Sequence, residues 1–161
     1  MTAAKRPATL LAAIAVLSLA AVAAALWTQH VWDMQPCPWC VLQRLIFVSI
    51  ALAALPGLLL RSRMGCGISA IVVIALSLAG VAAALWQHFV AAVSASCNQT
   101  LADQIVSGLG LDGMLPEVFQ ARANCADAAV KLAGVPYEFW SLTLFVLMAT
   151  LALFTLIRSR V

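Results

Sequence analysis

The sequence predicts an all-α membrane protein: a bundle of four transmembrane helices with both termini cytoplasmic and two loops on the far side. Three observations lead there. Hydrophobic residues make up 65% of the 161 positions and charged residues 9%, against ~45–50% and ~25% in an average soluble domain. Such a chain cannot cover a water-facing surface with its own polar groups. The apolar residues fall into four runs, each near the ~20 residues needed to cross a bilayer as a helix. The Lys and Arg residues gather at alternate ends of those runs. The composition excludes a soluble globular enzyme and a disordered tail. Nine Lys and Arg, scattered as they are, also exclude a nucleic-acid module.

The first run is Ala8–Trp27, without a charge. The second is Cys40–Leu60, which contains Arg44. The third is Ile68–Val90 and the fourth Phe139–Ile157. As helices, all four satisfy their backbone hydrogen bonds internally. They leave two connections on the far side, a short one at 28–39 and a long one at 91–138, in one membrane domain spanning 1–161. Lys5, Arg6, Arg61, Arg63, Arg158 and Arg160 all sit at one end of the runs, and positive residues favour the cytoplasmic side. The first connection has no Lys or Arg. The second has Arg122 and Lys131 against Asp103, Asp112, Glu117, Asp127 and Glu138.

The first run resembles a signal peptide in its Lys5-Arg6 start, but it is longer than the 7–15 apolar residues typical of one. It is also repeated. Leu17–Trp27 reads LSLAAVAAALW and Leu76–Trp86 reads LSLAGVAAALW. A mid-chain copy argues that both are retained helices; shared Ala/Leu composition is the other reading. The small residues suit close helix approach, and each copy ends on a Trp, then a His, at an interface where Trp commonly anchors. His30 and His88 read most simply as polar groups at span ends, with a functional role for His88 as the alternative.

The cysteines carry the chemistry. Cys37 and Cys40 form a C-x-x-C at the start of the second run, Cys97 and Cys125 lie in the long connection, and Cys66 stands alone on the opposite side. Four of the five therefore face the compartment where disulfides persist. A helix N-terminus or a nearby cation favours the reactive thiolate. Arg44 follows Cys40 by one helical turn, ~6 Å along the axis and on the same face. An Arg within a span costs ~2.5–3.5 kcal/mol at the centre. Its uses are to stabilise an anion or bind a polar ligand, or else it snorkels to the headgroups. Cys97 and Cys125 read as a structural staple, as an exchanging pair, or as half of a four-cysteine zinc site, for which the spacing is poor.

Leu26-Trp27, Gln29-His30-Val31, Pro36-Cys37, Cys40 and Arg44 together resemble the DsbB family of disulfide bond formation proteins. So do Pro116, Val118-Phe119, Cys125-Ala126-Asp127, Gly134, Pro136 and Trp140. In the related quinone-linked family that includes vitamin K epoxide reductase, the loop cysteines precede the C-x-x-C; here the C-x-x-C comes first. The resemblance implies an inner-membrane oxidoreductase with periplasmic loops. It would reoxidise a periplasmic thioredoxin-fold partner of DsbA type and pass the electrons to ubiquinone or menaquinone. It implies a relay through Cys97, Cys125, Cys37 and Cys40, with Arg44 holding the quinone. Gln43 stands where relatives often carry an acid, and Val130 where they usually carry an aromatic. The other classes considered are a cysteine-stapled membrane scaffold and a metal transporter.

Overall fold

In the computed structural model, residues 5–93 and 100–160 are described. Helix α1 runs Lys5–Val31, α2 Pro38–Leu60 and α3 Arg63–Trp86, the last continuing into a π-helical turn, Gln87–Ala91. Three short helices follow: α4 (Leu101–Gly108), α5 (Leu111–Met114) and α6 (Pro116–Phe119). A two-stranded hairpin, β1 (Lys131–Leu132) and β2 (Val135–Pro136), leads into α7, Tyr137–Arg160. Helices α1, α2, α3 with its π turn, and α7 are long and apolar enough to cross a membrane. They form a four-membered ring: α1 packs on α2 and α7, and α3 packs on the same two. The short helices and the hairpin sit at the end of the bundle where α2 and α7 begin.

Each span turns one stripe inward. On α1 it is Leu11, Ile14, Ser18 and Val22, at helical spacings of three and four, while Val16, Leu19 and Trp27 face outward. On α7 it is Phe145, Met148, Ala152 and Thr155. α2 is the most enclosed of the four spans, because it also supports α4 and α6. Its start is fixed by Cys37 as N-cap and Pro38 in the first turn, where a missing N–H costs nothing. Its end is fixed by Arg61 in the left-handed region, φ 46°, whose N–H returns to Gly57 O. Ser62 caps α3 by accepting from Gly65 N, so the turn between the two helices is only two residues long.

Small residues let the helices approach. Pro56 lies inside α2, and the N–H of Gly57 is taken by Ser69 Oγ of α3 at 3.0 Å. A Cβ at Gly57 would strike Leu11 of α1. Cys66 is buried beside this junction, with its thiol 3.5 Å from Gly57 O. In mid-bundle, Phe47 and Phe145 stack with centroids 4.1 Å apart, and the Phe145 ring rests on Gly80, where a Cβ would sit 2.5 Å from it. Gly80 is the one position at which the two copies of the eleven-residue repeat differ, Ala21 being its counterpart. The two copies lie on diagonally placed helices, α1 and α3, and Gly80 of the second meets this ring.

The long connection is more ordered than its glycine content suggests. A capping box between Thr100 and Asp103 starts α4. Val106 of α4, Phe119 of α6 and Val41 of α2 make a small second core. Leu109, Met114 and Leu115 remain exposed. The apolar residues of this segment thus divide between the bundle top and an outward face. The hairpin turn places Ala133 and Gly134 both at positive φ, 53° and 81°, as a tight two-residue hairpin requires.

Gly80→Ala tests the mid-bundle contact. Overpacking of this kind costs about 1–3 kcal/mol, so the variant should lower the thermal unfolding midpoint in detergent. Gly108→Ala, which meets open space, should leave it unchanged.

Candidate functional site

The first turn of α2 organises the site. Cys37 holds its thiol as the cap: Cys40 N–H donates to Cys37 Sγ at 3.3 Å. The two sulfurs of the C-x-x-C lie 3.0 Å apart. Cys125 joins them from the loop. The N–H groups of Arg122 and Ala123 donate to Pro36 O at 2.9 and 3.3 Å. This pair of bonds ties the segment bearing Cys125 to the residue before Cys37. Cys125 Sγ then accepts from the Trp39 N–H and from the Cys37 thiol. The result is a row of sulfurs, Cys125, Cys37, Cys40, on the amide-rich N-terminus of a helix, which favours negative charge.

The row has a direction. Cys125 is held below the ordinary thiol range, chiefly because the Cys37 thiol donates to it. Cys37 is pushed up, first by that same hydrogen bond, then by the one with Cys40 and by burial. Cys37 therefore keeps the proton and Cys125 is the readier thiolate. Cys97, the fourth cysteine of the sequence motif, lies outside the described residues. Cys66 is far from the row in sequence and in the fold.

On the inner side of Cys40 a cavity of about 230 Å³ opens between α1, α2 and α7. Ala21, Ala24, Phe47 and Leu144 give it apolar walls, and Cys40, Arg44, Gln87 and Glu138 give it polar ones. Cys40 and Arg44 share this wall, as their one-turn spacing requires. Arg44 does not snorkel: it is 5% exposed. Its Nη1 donates to Gln29 Oε1 at 2.8 Å and to Val118 O at 3.1 Å, and its Nη2 to Ala25 O at 3.3 Å. Gln29 Nε2 in turn donates to Glu117 O. One guanidinium thus joins α2 to α1 and to the loop helix α6. On the same helix, the Glu117 carboxylate lies below its usual range because Arg122, and then His30, hydrogen-bond it.

Several site residues were not singled out by the sequence. Gln87 Nε2 donates to Cys40 Sγ at 3.3 Å, and Gln87 Oε1 accepts from Gln43 at 2.6 Å. Gln87 reaches Cys40 from the π-helical turn, an irregularity common at functional sites. Glu138, read from sequence only as part of an acidic loop, is buried at the start of α7 and pairs with His88. His88 itself does not line the cavity. The available signal was the cost of polar groups in apolar runs, which demands partners.

A family model, disulfide bond formation protein DsbB, matches residues 6–155. The chain belongs to the DsbB family. Among its relatives, Disulfide bond formation protein B 1 of Pseudomonas savastanoi pv. phaseolicola is 33% identical over 150 residues, 91% of this chain and 88% of the relative. Disulfide bond formation protein B of Herminiimonas arsenicoxydans is 32% identical over 152 residues, 92% and 94% of the two chains. That of Burkholderia mallei is 31% identical over 157 residues, 97% and 93%. Membership in the DsbB family, with four helices able to span a bilayer, makes this a multi-pass membrane protein of disulfide bond formation, with oxidoreductase chemistry.

The hydrogen bond between Cys37 and Cys125 has a measurable consequence. In fully reduced protein, removing the Cys37 donor raises the Cys125 thiol. The ultraviolet absorbance step of the Cys125 thiolate should therefore move to higher pH in Cys37→Ala. It should move less in Cys37→Ser, which keeps a donor.

Proposed function

We propose that this DsbB-family protein reoxidises a periplasmic thioredoxin-fold dithiol partner of DsbA type and delivers the electrons to a membrane quinone. In this reading it sits in the bacterial inner membrane with both termini cytoplasmic. The loop end of the bundle faces the periplasm, in keeping with the Lys and Arg distribution. The observation that carries the reading is the row of thiols that starts on the loop at Cys125 and ends at Cys40 on the cavity wall.

The relay follows from thiol–disulfide exchange, in which a thiolate attacks one sulfur and expels the other. The partner's thiolate attacks Cys97 of a Cys97–Cys125 disulfide, forming a mixed disulfide and releasing Cys125 as thiolate. Cys125 attacks Cys37 of a Cys37–Cys40 disulfide. The Cys37–Cys125 bond forms, the Cys37–Cys40 bond breaks, and Cys40 is left as the thiolate facing the cavity. The N–H of Gln87 and the charge of Arg44 stabilise negative charge there. The partner's second thiol resolves the mixed disulfide at Cys97.

The cavity fits a quinone ring. Its walls are mainly alanine and aromatic carbon, its volume suits one substituted ring, and Arg44 supplies a donor fork for a carbonyl oxygen. A quinone bound there would supply a two-electron, two-proton acceptor.

Purified protein in detergent should reduce quinone when given a reduced thioredoxin-fold dithiol protein, and Cys97→Ser should not. Absence of turnover in folded wild-type protein with either ubiquinone or menaquinone would refute the proposal. Cys40→Ser should abolish quinone reduction while still trapping the partner as a mixed disulfide. Arg44→Ala should raise the apparent quinone KM about tenfold or more, the scale of one charge-assisted hydrogen bond. Because Arg44 also holds Val118 O and Gln29, the same variant should expose the α6 segment to faster amide exchange.

A further inference from the structure

Dithiol oxidation forms one S–S bond and releases two electrons and two protons. Reduction of a quinone consumes two electrons and two protons at its oxygens. The proton side of this exchange needs a route from water into an apolar cavity. The cavity wall contains one carboxyl group, Glu138. Its side chain is 6% exposed and its Oε1 lies 2.6 Å from His88 Nδ1. The His88 side chain is 33% exposed. Its ring is held edge-on by Phe89 and Phe139, with centroids 4.9 and 4.7 Å away. It lies two residues beyond Trp86, one of four exposed tryptophans (with Trp27, Trp32 and Trp140) at the loop end of the bundle, where aromatic residues mark the water interface. A buried acid in a membrane span is costly unless it has a partner and a use.

We propose that Glu138 is the proton-donating residue of this cavity and that His88 refills it from the loop side. The inference rests on the reading of the cavity as the quinone site. Glu138 gives a proton into the cavity, and His88 Nδ1 passes one to the Glu138 carboxylate. The imidazole then takes another from water at Nε2 and returns to its starting tautomer by exchange with water, so each full cycle leaves the pair as it began. Two cycles match the two electrons that leave the thiols. Arg44 and Cys40 from α2 and Tyr137 from α7 are the other titratable groups on the cavity wall; α1 contributes the uncharged Thr28. His88 is a positioning and relay residue, since it acts through Glu138.

The test has two arms. In purified quinone-free protein, the Glu138 carboxyl stretch is the infrared band that Glu138→Gln removes. Its deuterium exchange after transfer to heavy water should slow at least tenfold in His88→Gln. Equal rates in the two proteins, or no protonated band at any pH from about 5 to about 8, would overturn the proposal. In the second arm, quinone reduction is measured with the reduced dithiol partner. Glu138→Gln should be about a hundredfold slower, the lower range for a positioned acid, while the exchange between Cys125 and Cys37 keeps its rate. Wild-type rates in Glu138→Gln would overturn the proton role and leave the quinone reading standing. A wild-type protein that reduces no quinone would overturn the quinone reading, and the proton proposal that depends on it.

Discussion

A guanidinium inside an apolar bundle must have partners for its N–H groups, and Arg44 meets that demand by drawing on two other parts of the chain. Its acceptors come from α1, through Gln29 and the Ala25 carbonyl, and from α6, through the Val118 carbonyl. An unpaired buried charge of this kind is destabilising by several kcal/mol, so the position of the loop and the position of α1 are both constrained by one side chain on α2. The same side chain faces the cavity. Three of its five N–H groups are taken by these contacts, which leaves donors for anything that engages it there.

A second constraint lies one turn earlier on the same helix. The first amides of α2 point at sulfur: Cys40 N–H at Cys37, and Trp39 N–H at Cys125. In most helices these orphan donors are satisfied by a hydroxyl or carboxylate cap. Here the capping groups are thiols. The Trp39 N–H both finds a partner at the helix end and helps hold the Cys125 thiol below its ordinary range. The loop segment arrives at the row because two of its amides share the Pro36 carbonyl.

The bundle was readable in the sequence because a bilayer imposes a length and a composition, and four runs meet both. Arg44 and the C-x-x-C were readable because their spacing alone places them on one helix face. The closeness of Cys125 to Cys37 was not, since it depends on the Pro36 carbonyl and on the Ala133-Gly134 turn that aims the chain into α7. That turn carries an alanine at positive φ, which no local rule favours. Nor was α4 read from the sequence, although the Thr100 to Asp103 spacing fits the capping box that starts it. Gln87 and Glu138 sit at the ends of apolar runs, where a polar residue usually means only that the run is over. Their role depends on the π-helical turn and on where α7 begins.

Cys37 has no exposed surface, while the cysteine next to it in the row belongs to a loop. A small thiol from solution therefore has no direct line of attack on the Cys37 sulfur, whereas its neighbour Cys40 is half-buried. In the proposed relay, electrons reach Cys37 through the arm that carries Cys125. In that reading the burial works as insulation: the middle sulfur of the wire is live only where the loop touches it.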